Sequence, residues 1–322
     1  MVQMTAHDAE HLGLDQAVTR DAWLRRHAAA IIRTQARPTA GPYLLAWRRF
    51  RRDRVATAAL TLCALVVGFA LSAGLIAEAT GHSYHAVDLR NRLQAPLSPD
   101  HLLGTDAHGR DVLVRLAYGG RVSLLVAGLA AATTLALGAA TGAIAGYLGG
   151  AVDAVAMRLV DVLLSLPYLS LLILVGALYS PGPVGLALVI AALGWMPAAR
   201  LVRGEVLALR KRGYVDAARV AGATDGRIII RHILPNVAPT LVVWTSLAIP
   251  WLILTEAALS FLGLGVRIPI PSWGNMLQDA TAFYTRSWWN VFLPGFAIYI
   301  TVLAVTLVGD GLRNALDPRL GG

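Results

Sequence analysis

YVDAARVAGATDGRIIIRHILP, residues 214–235, is the one long polar and charged interruption in the second half of an otherwise apolar chain. Asp216 stands early in a run of helix formers, where a negative charge complements the helix dipole. Gly222 ends that run, at a point where a residue free to take left-handed angles closes a helix. Thr224 and Asp225 are placed to cap a second helix. Pro235 is expected to close it. The spacing predicts two short helices bent at Gly222 and held between two membrane spans. Such an elbow is suited to being gripped by a partner on its own side of the membrane.

Working outward, the composition sets the class. Of the 322 residues, 56% are hydrophobic and 15% charged, the balance of a multi-span membrane protein rather than a soluble domain. The net charge of +9 does not point to nucleic acid, because the basic residues flank apolar spans. The one cysteine, Cys63, lies in an apolar run, can form no intrachain disulfide, and reads as a packing residue. The first apolar run begins near Val55, too deep for a signal peptide.

Hydropathy predicts six spans, at about residues 55–77, 122–147, 154–179, 184–200, 239–263 and 291–309. Residues 1–46 form a polar cytoplasmic extension that is either a loosely ordered, partly disordered tail or, over 21–37, a basic amphipathic helix with Trp23, His27 and Ile31 on one face. WRRFRRDR at 47–54 is a basic collar that holds its end of the first span in the cytoplasm. Residues 78–121 make a loop long enough to need structure of its own. The second span is rich in small residues, Gly128, Thr133, Thr134, Gly138, Gly142 and Gly146, which let helices approach closely in lipid. In the third span Arg158 and Asp161 share a face and can pair. Residues 180–183 make a turn, and 264–290, with Pro269, Pro271, Trp273, Trp288 and Trp289, have an interfacial composition. Most of the 28 basic residues fall on one side if both termini are cytoplasmic, which puts the elbow in the cytoplasm and 78–121 outside. Arg90, Arg92, Arg110, Arg115 and Arg121 in that outer loop run against the rule, offset by Asp88, Asp100, Asp106 and Asp111.

Several chemistries are excluded. Lys211, the only lysine, lies in Arg210-Lys211-Arg212 and follows no glycine-rich loop, so a phosphate-binding GxxxxGK[ST] loop is impossible and no metal or nucleotide is expected on this chain. All eight histidines lie in tails, loops or the elbow, which argues against an intramembrane hydrolase. His82 and His85 have no accompanying carboxylate motif and read as solvated. Glu256 is the ionisable group within a span; it either touches solute or a gate, or hydrogen-bonds a neighbouring helix. No internal repeat is visible, which disfavours an ion-gradient-driven secondary transporter, the main alternative.

DAARVAG at 216–222, followed by Leu234-Pro235, resembles the EAA loop of the permease subunits of ABC importers; Asp216 replaces the glutamate, and His232 stands at the isoleucine position. HLLGTDAHGRDV at 101–112, EAALSFLGLG at 256–265, PSWG at 271–274 and LDPR at 316–319 resemble the C-subunit type of dipeptide and oligopeptide permeases. The likeness runs from about Trp47 onward. It implies an all-α polytopic fold with six transmembrane helices and a cytoplasmic coupling helix, the type I importer fold. It also implies a non-catalytic subunit of the plasma membrane that works beside a second permease, two cytoplasmic ATPases that bind ATP and Mg²⁺, and an external substrate-binding lipoprotein, all in a lipid bilayer. The coupling segment is then 204–235, with Tyr214, Asp216, Ala217, Ala218, Arg219, Gly222, Ala223 and Pro235 as its site residues. Gly104, Thr105, Asp106, Gly109, Arg110 and Asp111 either meet the binding protein or only shape turns.

Overall fold

The computed structural model describes residues 42–179 and 182–316. The expectations for residues 1–41, for the middle of the 180–183 turn and for the tail beyond residue 316 lie outside the described residues. The described chain is helical, with turns between helices and no strand among the described residues. A short helix α1 (Pro42–Arg52) leads into α2 (Arg54–Leu71) and α3 (Ala73–Thr80). Asp53 makes the α1–α2 joint, its carboxylate accepting from the Val55 and Ala56 amides. Beyond the loop come α4 (Val112–Leu148), the bent pairs α5 (Gly150–Ser165) with α6 (Tyr168–Leu178) and α7 (Pro183–Gly194) with α8 (Met196–Leu209), and the short α9 (Gly213–Val220). A short α10 (Asp225–Ile228) passes through a π turn (Ile229–Ile233) into α11 (Leu234–Phe261); α12 (Trp273–Thr281) and α13 (Trp288–Leu316) follow. Among the described residues four helices are long and apolar enough to cross a membrane alone, and six spans result when each bent pair counts as one.

Several expectations are corrected. The second span starts at Val112, not near 122, because Asp111 caps it by accepting from the Val114 amide at 2.9 Å. Arg115 hid this start from hydropathy, yet it is buried among acids. The third span is broken, bending 79° at residues 165–167, and the fourth bends 48° at Trp195. Pro167 lacks an amide hydrogen and pushes Leu166 into extended backbone (φ −86°, ψ 141°). Pro235 does not close the elbow's second helix. It sits in the first turn of α11, where its missing amide is tolerated, and the π turn carries the helix through, so residues 225–261 form one span. Finally, Asp161 pairs with Arg200 and Asp153 with Arg203, joining α5 to α8; Arg158 is not the partner of Asp161.

The small residues of α4 explain how the bundle closes. A Cβ on Gly142 would lie 2.4 Å from the Ala199 carbonyl oxygen, and one on Gly138 2.4 Å from the Ala198 Cβ. Gly146 faces Arg203 and Val206 in the same way. These three glycines, four apart, form the face on which α8 lies. Gly128 faces open space and takes no part. Toward its other end α4 offers Gly119 and Gly120 to Trp273, whose indole donates to the Leu116 carbonyl at 3.0 Å. Trp273 is 1% exposed, so it is a core wedge and not the interfacial residue its composition suggested; Trp288, exposed, fits that role.

Gly142→Ala therefore has no room, and it is expected to destabilise by about 1–3 kcal/mol through overpacking. Gly128→Ala, in open space, is expected to be neutral or slightly stabilising. Thermal melting of the two purified variants in detergent checks the contrast; equal melting temperatures would remove the close α4–α8 approach.

Candidate functional site

The polar segment singled out by sequence hangs from the Leu148 end of α4. Its helix α9 is held by one fully buried residue, Val215, which joins Tyr147, Val202, Val206, Ile228, Ile233 and Val237 in a small apolar cluster. Everything else on α9 faces out or is half-buried. Tyr214, Asp216, Ala217 and Arg219 are exposed, and Ala218 and Ala223 half-buried. Val220, at the tip, is 91% exposed. Gly222 has φ +81° with nothing within 4 Å, so the bend needs left-handed backbone but no steric gap. The Gly222 amide donates to the Arg219 carbonyl and the Ala223 amide to that of Ala218, closing α9. Thr224 starts α10 in extended backbone without a side-chain cap bond, and the Asp225 carboxylate instead accepts from Tyr147.

Tyr147 is the anchor that sequence reading did not single out. Its hydroxyl donates to Asp225 at 2.9 Å, and Arg219 reaches the same oxygen at 3.4 Å while its guanidinium lies 5.4 Å from the ring centre. Arg210 donates to the Gly146 and Tyr147 carbonyls, capping the C-terminus of α4. Asp216 is bonded to Arg219 at 2.9 Å, an exposed pair. Tyr147, Arg210, Lys211, Asp216 and Arg219 line one open, mainly cationic cleft beside α9. An aromatic residue at the end of a span reads as an interfacial anchor. Only the fold brings it beside residues about 70 positions away.

The six loop residues lie at the other end of α4, about 55 Å away by helical rise. They build a folded cap. Asp106 accepts from the His108 and Arg110 amides and pairs with Arg110 at 2.6 Å. Thr105 donates to the Asn91 carbonyl and accepts from the Gln94 amide. Gly109 has φ +73°, and a Cβ there would lie 1.7 Å from the Asp88 carbonyl; Gly104 is equally constrained by Gln94. Arg110 also reaches Asp279 of α12 at 2.9 Å, and Arg115 approaches the same carboxylate at 3.6 Å. The Asn290 amide donates to the Thr105 carbonyl, tying in α13. All six residues are thus buried or half-buried in turns and clamps, and the outward apolar surface of the loop is made by Val87, Leu89, Leu97 and Leu102.

His82, His101 and Asp111 come within 4.8 Å of one another, a juxtaposition that the sequence spacing does not reveal. Their bonds are those of a clamp. One Asp111 oxygen caps α4, the other accepts from His101 at 2.8 Å, and the His82 and His101 rings stack 4.5 Å apart, which aims their in-plane lone pairs past each other. Glu256 is fully buried near the end of α11. It accepts from Ser260 at 2.7 Å, and Ser123 and Ser272 face the same carboxyl. It therefore joins α4, α11 and the start of α12, and faces no open cavity.

Comparison with known proteins matches residues 138–322 to the family described as binding-protein-dependent transport system inner membrane component. Residues 41–96 match the N-terminal transmembrane domain of oligopeptide transport permease C. The chain is 40% identical over 273 residues to an oligopeptide transport system permease protein of Haemophilus influenzae, covering 84% of this chain and 87% of that one. It is 39% identical over 276 residues to a dipeptide transport system permease protein of Bacillus subtilis, covering 85% of each. It is also 39% identical to a glutathione transport system permease protein of Pectobacterium atrosepticum, over 87% of this chain and 92% of that one. Among solved structures, an inward-facing methionine ABC transporter aligns over 63% of this chain and 96% of its own, with a TM-score of 0.48 and 19% identity.

Removing Asp279 leaves Arg110 and Arg115 facing a single acid, Asp106, in a buried setting. Asp279→Ala is expected to destabilise the protein by on the order of 3 kcal/mol. Asp216→Asn breaks only an exposed pair and is expected to leave the melting temperature where it was. Parallel melts of the two variants check the ranking.

Proposed function

The chain belongs to the inner membrane components of binding-protein-dependent transport systems, and we propose that it is the permease subunit of an ATP-driven importer of short peptides. The protein is a multi-pass component of the inner membrane. In this reading both termini are cytoplasmic, the loop end of α4 faces outside, and α9 is the foot that sits in a groove of a cytoplasmic ATPase. ATP and Mg²⁺ are bound by two such ATPase subunits. A second permease completes the pathway, and an external binding lipoprotein delivers the peptide to the cap.

The observation that carries this reading is the mounting of α9. A solvent-facing helix of eight residues cannot hold its shape alone. Here it is joined by Val215 and Tyr147 to the ends of α4, α8 and α11 and presents Tyr214, Ala217, Val220 and Arg219 outward. Small residues at Ala217 and Ala218 let a partner surface come close. A push on α9 passes through the Tyr147–Asp225 bond into two spans at once. Alternating access then follows as the spans tilt, and the chain itself performs no chemistry. The six cap residues hold the loop in shape, and Val87, Leu89, Leu97 and Leu102 meet the binding protein.

Gly222→Val forces a β-branched residue into left-handed backbone, which costs at least about 1–2 kcal/mol and favours a straightened elbow. The variant is expected to insert normally and to lose ATP-dependent peptide uptake in the assembled transporter. A cysteine at Ala217 or Ala218 is expected to cross-link to an ATPase subunit, with a yield that depends on nucleotide. Full uptake in Gly222→Val, or transport without any cross-link in every nucleotide state, would remove the coupling role.

A further inference from the structure

The two bent spans break at the same place in the bundle. Leu166, at the break between α5 and α6, and Gly194 and Met196, on either side of the break between α7 and α8, line one cavity of about 390 Å³. α4 contributes Thr134 to its wall, and α11 contributes Trp244, Leu247 and Trp251. Tyr168, whose ring lies 4.7 Å from that of Trp251, and Met196 line it as well. Among the described residues no charged side chain does. The volume is that of a small-ligand pocket, enough for one large side chain and the backbone beside it.

Two hydroxyls interrupt this apolar lining. Thr134 is 2% exposed, and its Oγ1 has no hydrogen-bond partner, although a helical threonine can ordinarily use the carbonyl four residues back. The hydroxyl of Tyr168 has only a long contact, 3.4 Å, to the Ile190 carbonyl. Gly194 stands beside both: a Cβ there would lie 3.6 Å from Thr134 Oγ1 and 3.7 Å from Tyr168 Oη. A side chain longer than a methyl at Gly194 would crowd both hydroxyls. A buried hydroxyl without a partner asks for a polar ligand. A lipid acyl chain would fill the apolar volume and leave both hydroxyls unsatisfied. An amide flanked by a hydrophobic side chain would satisfy both features.

We propose that this cavity is a transit site for a large apolar side chain of the transported peptide, with the Thr134 and Tyr168 hydroxyls bonding the adjacent amide. The inference rests on the peptide-permease reading and deepens it: this subunit, and not only the external receptor, then favours hydrophobic peptides. Charged side chains are disfavoured, because nothing in the lining compensates their desolvation.

The test uses the whole transporter, with its partner subunits and receptor, and radiolabelled dialanine and diphenylalanine. Receptor binding of each peptide is measured separately, so that uptake differences can be assigned to the membrane part. Gly194→Leu fills the cavity from one wall and Leu247→Phe from the other. In both, the diphenylalanine-to-dialanine uptake ratio is expected to fall about tenfold, the scale on which a hydrophobic pocket discriminates size. Thr134→Val keeps the volume and removes the hydroxyl; it is expected to raise the apparent KM for both peptides severalfold. An unchanged ratio in the filling variants, or a parallel fall for both peptides, overturns the pocket while the permease reading stands. Should Gly194→Leu fail to assemble, Leu247→Phe at its half-exposed position decides alone. Absence of ATP-dependent peptide uptake by the unmodified transporter overturns both.

Discussion

The approach of α4 to α8 across Gly138, Gly142 and Gly146 fixes the rest of the molecule. Lipid tails are as apolar as leucine, so helices in a bilayer gain nothing by hiding hydrophobic surface from each other. What remains is close packing, and three glycines on one face permit it. The contact also sets the register. Tyr147 follows Gly146 directly, so the glycine that seats α8 also delivers the hydroxyl that holds Asp225. Arg210, one residue past α8, returns to cap the Gly146 and Tyr147 carbonyls. Were α8 an ångström or two farther out, the Arg210 bonds would not form.

The two ends of α4 are built to different standards. At the loop end, Arg110, Arg115, Asp106, Asp279, Thr105 and Asn290 interlock the loop with α12 and α13, and Trp273 is wedged on Gly119 and Gly120. Charges there are buried and mutually compensated, an arrangement with few alternative geometries. At the other end a short helix rests on buried Val215, half-buried Ala218 and the Tyr147 contact to Arg219.

The parts that sequence revealed are those governed by local rules. Left-handed backbone at Gly222 requires glycine, so the elbow was legible, and length and hydropathy located the apolar stretches but not all of their ends. The start of α4 was missed because a buried arginine looks like a solvent-exposed one until its acids are placed around it. The π turn was missed because nothing local distinguishes Pro235 as a terminator from Pro235 as a first-turn residue. Tyr147, Asp279 and the partners of Asp153 and Asp161 depend on contacts tens to hundreds of residues apart, which periodicity does not encode. Trp273 was misplaced for a related reason: tryptophan suits both interface and core, and only Gly119 and Gly120 on another helix decide between them.

The breaks in the two bent spans follow from the same economy of backbone hydrogen bonds. Within lipid an interrupted helix exposes amides and carbonyls that nothing outside can satisfy, so interruptions are confined to places covered by protein or lining a cavity. Pro167 and Pro197 stand at the interruptions, and Pro197 and the two neighbours of Pro167, Leu166 and Tyr168, line the cavity between α4 and α11. Straight helices there would spare the backbone but would close the space. Keeping two kinks at one level, with Gly194 empty between two hydroxyls, preserves a volume that tighter packing would remove. A cavity without charge cannot select by ion pairing. It can select only by size, by apolar fit and by the two hydroxyls.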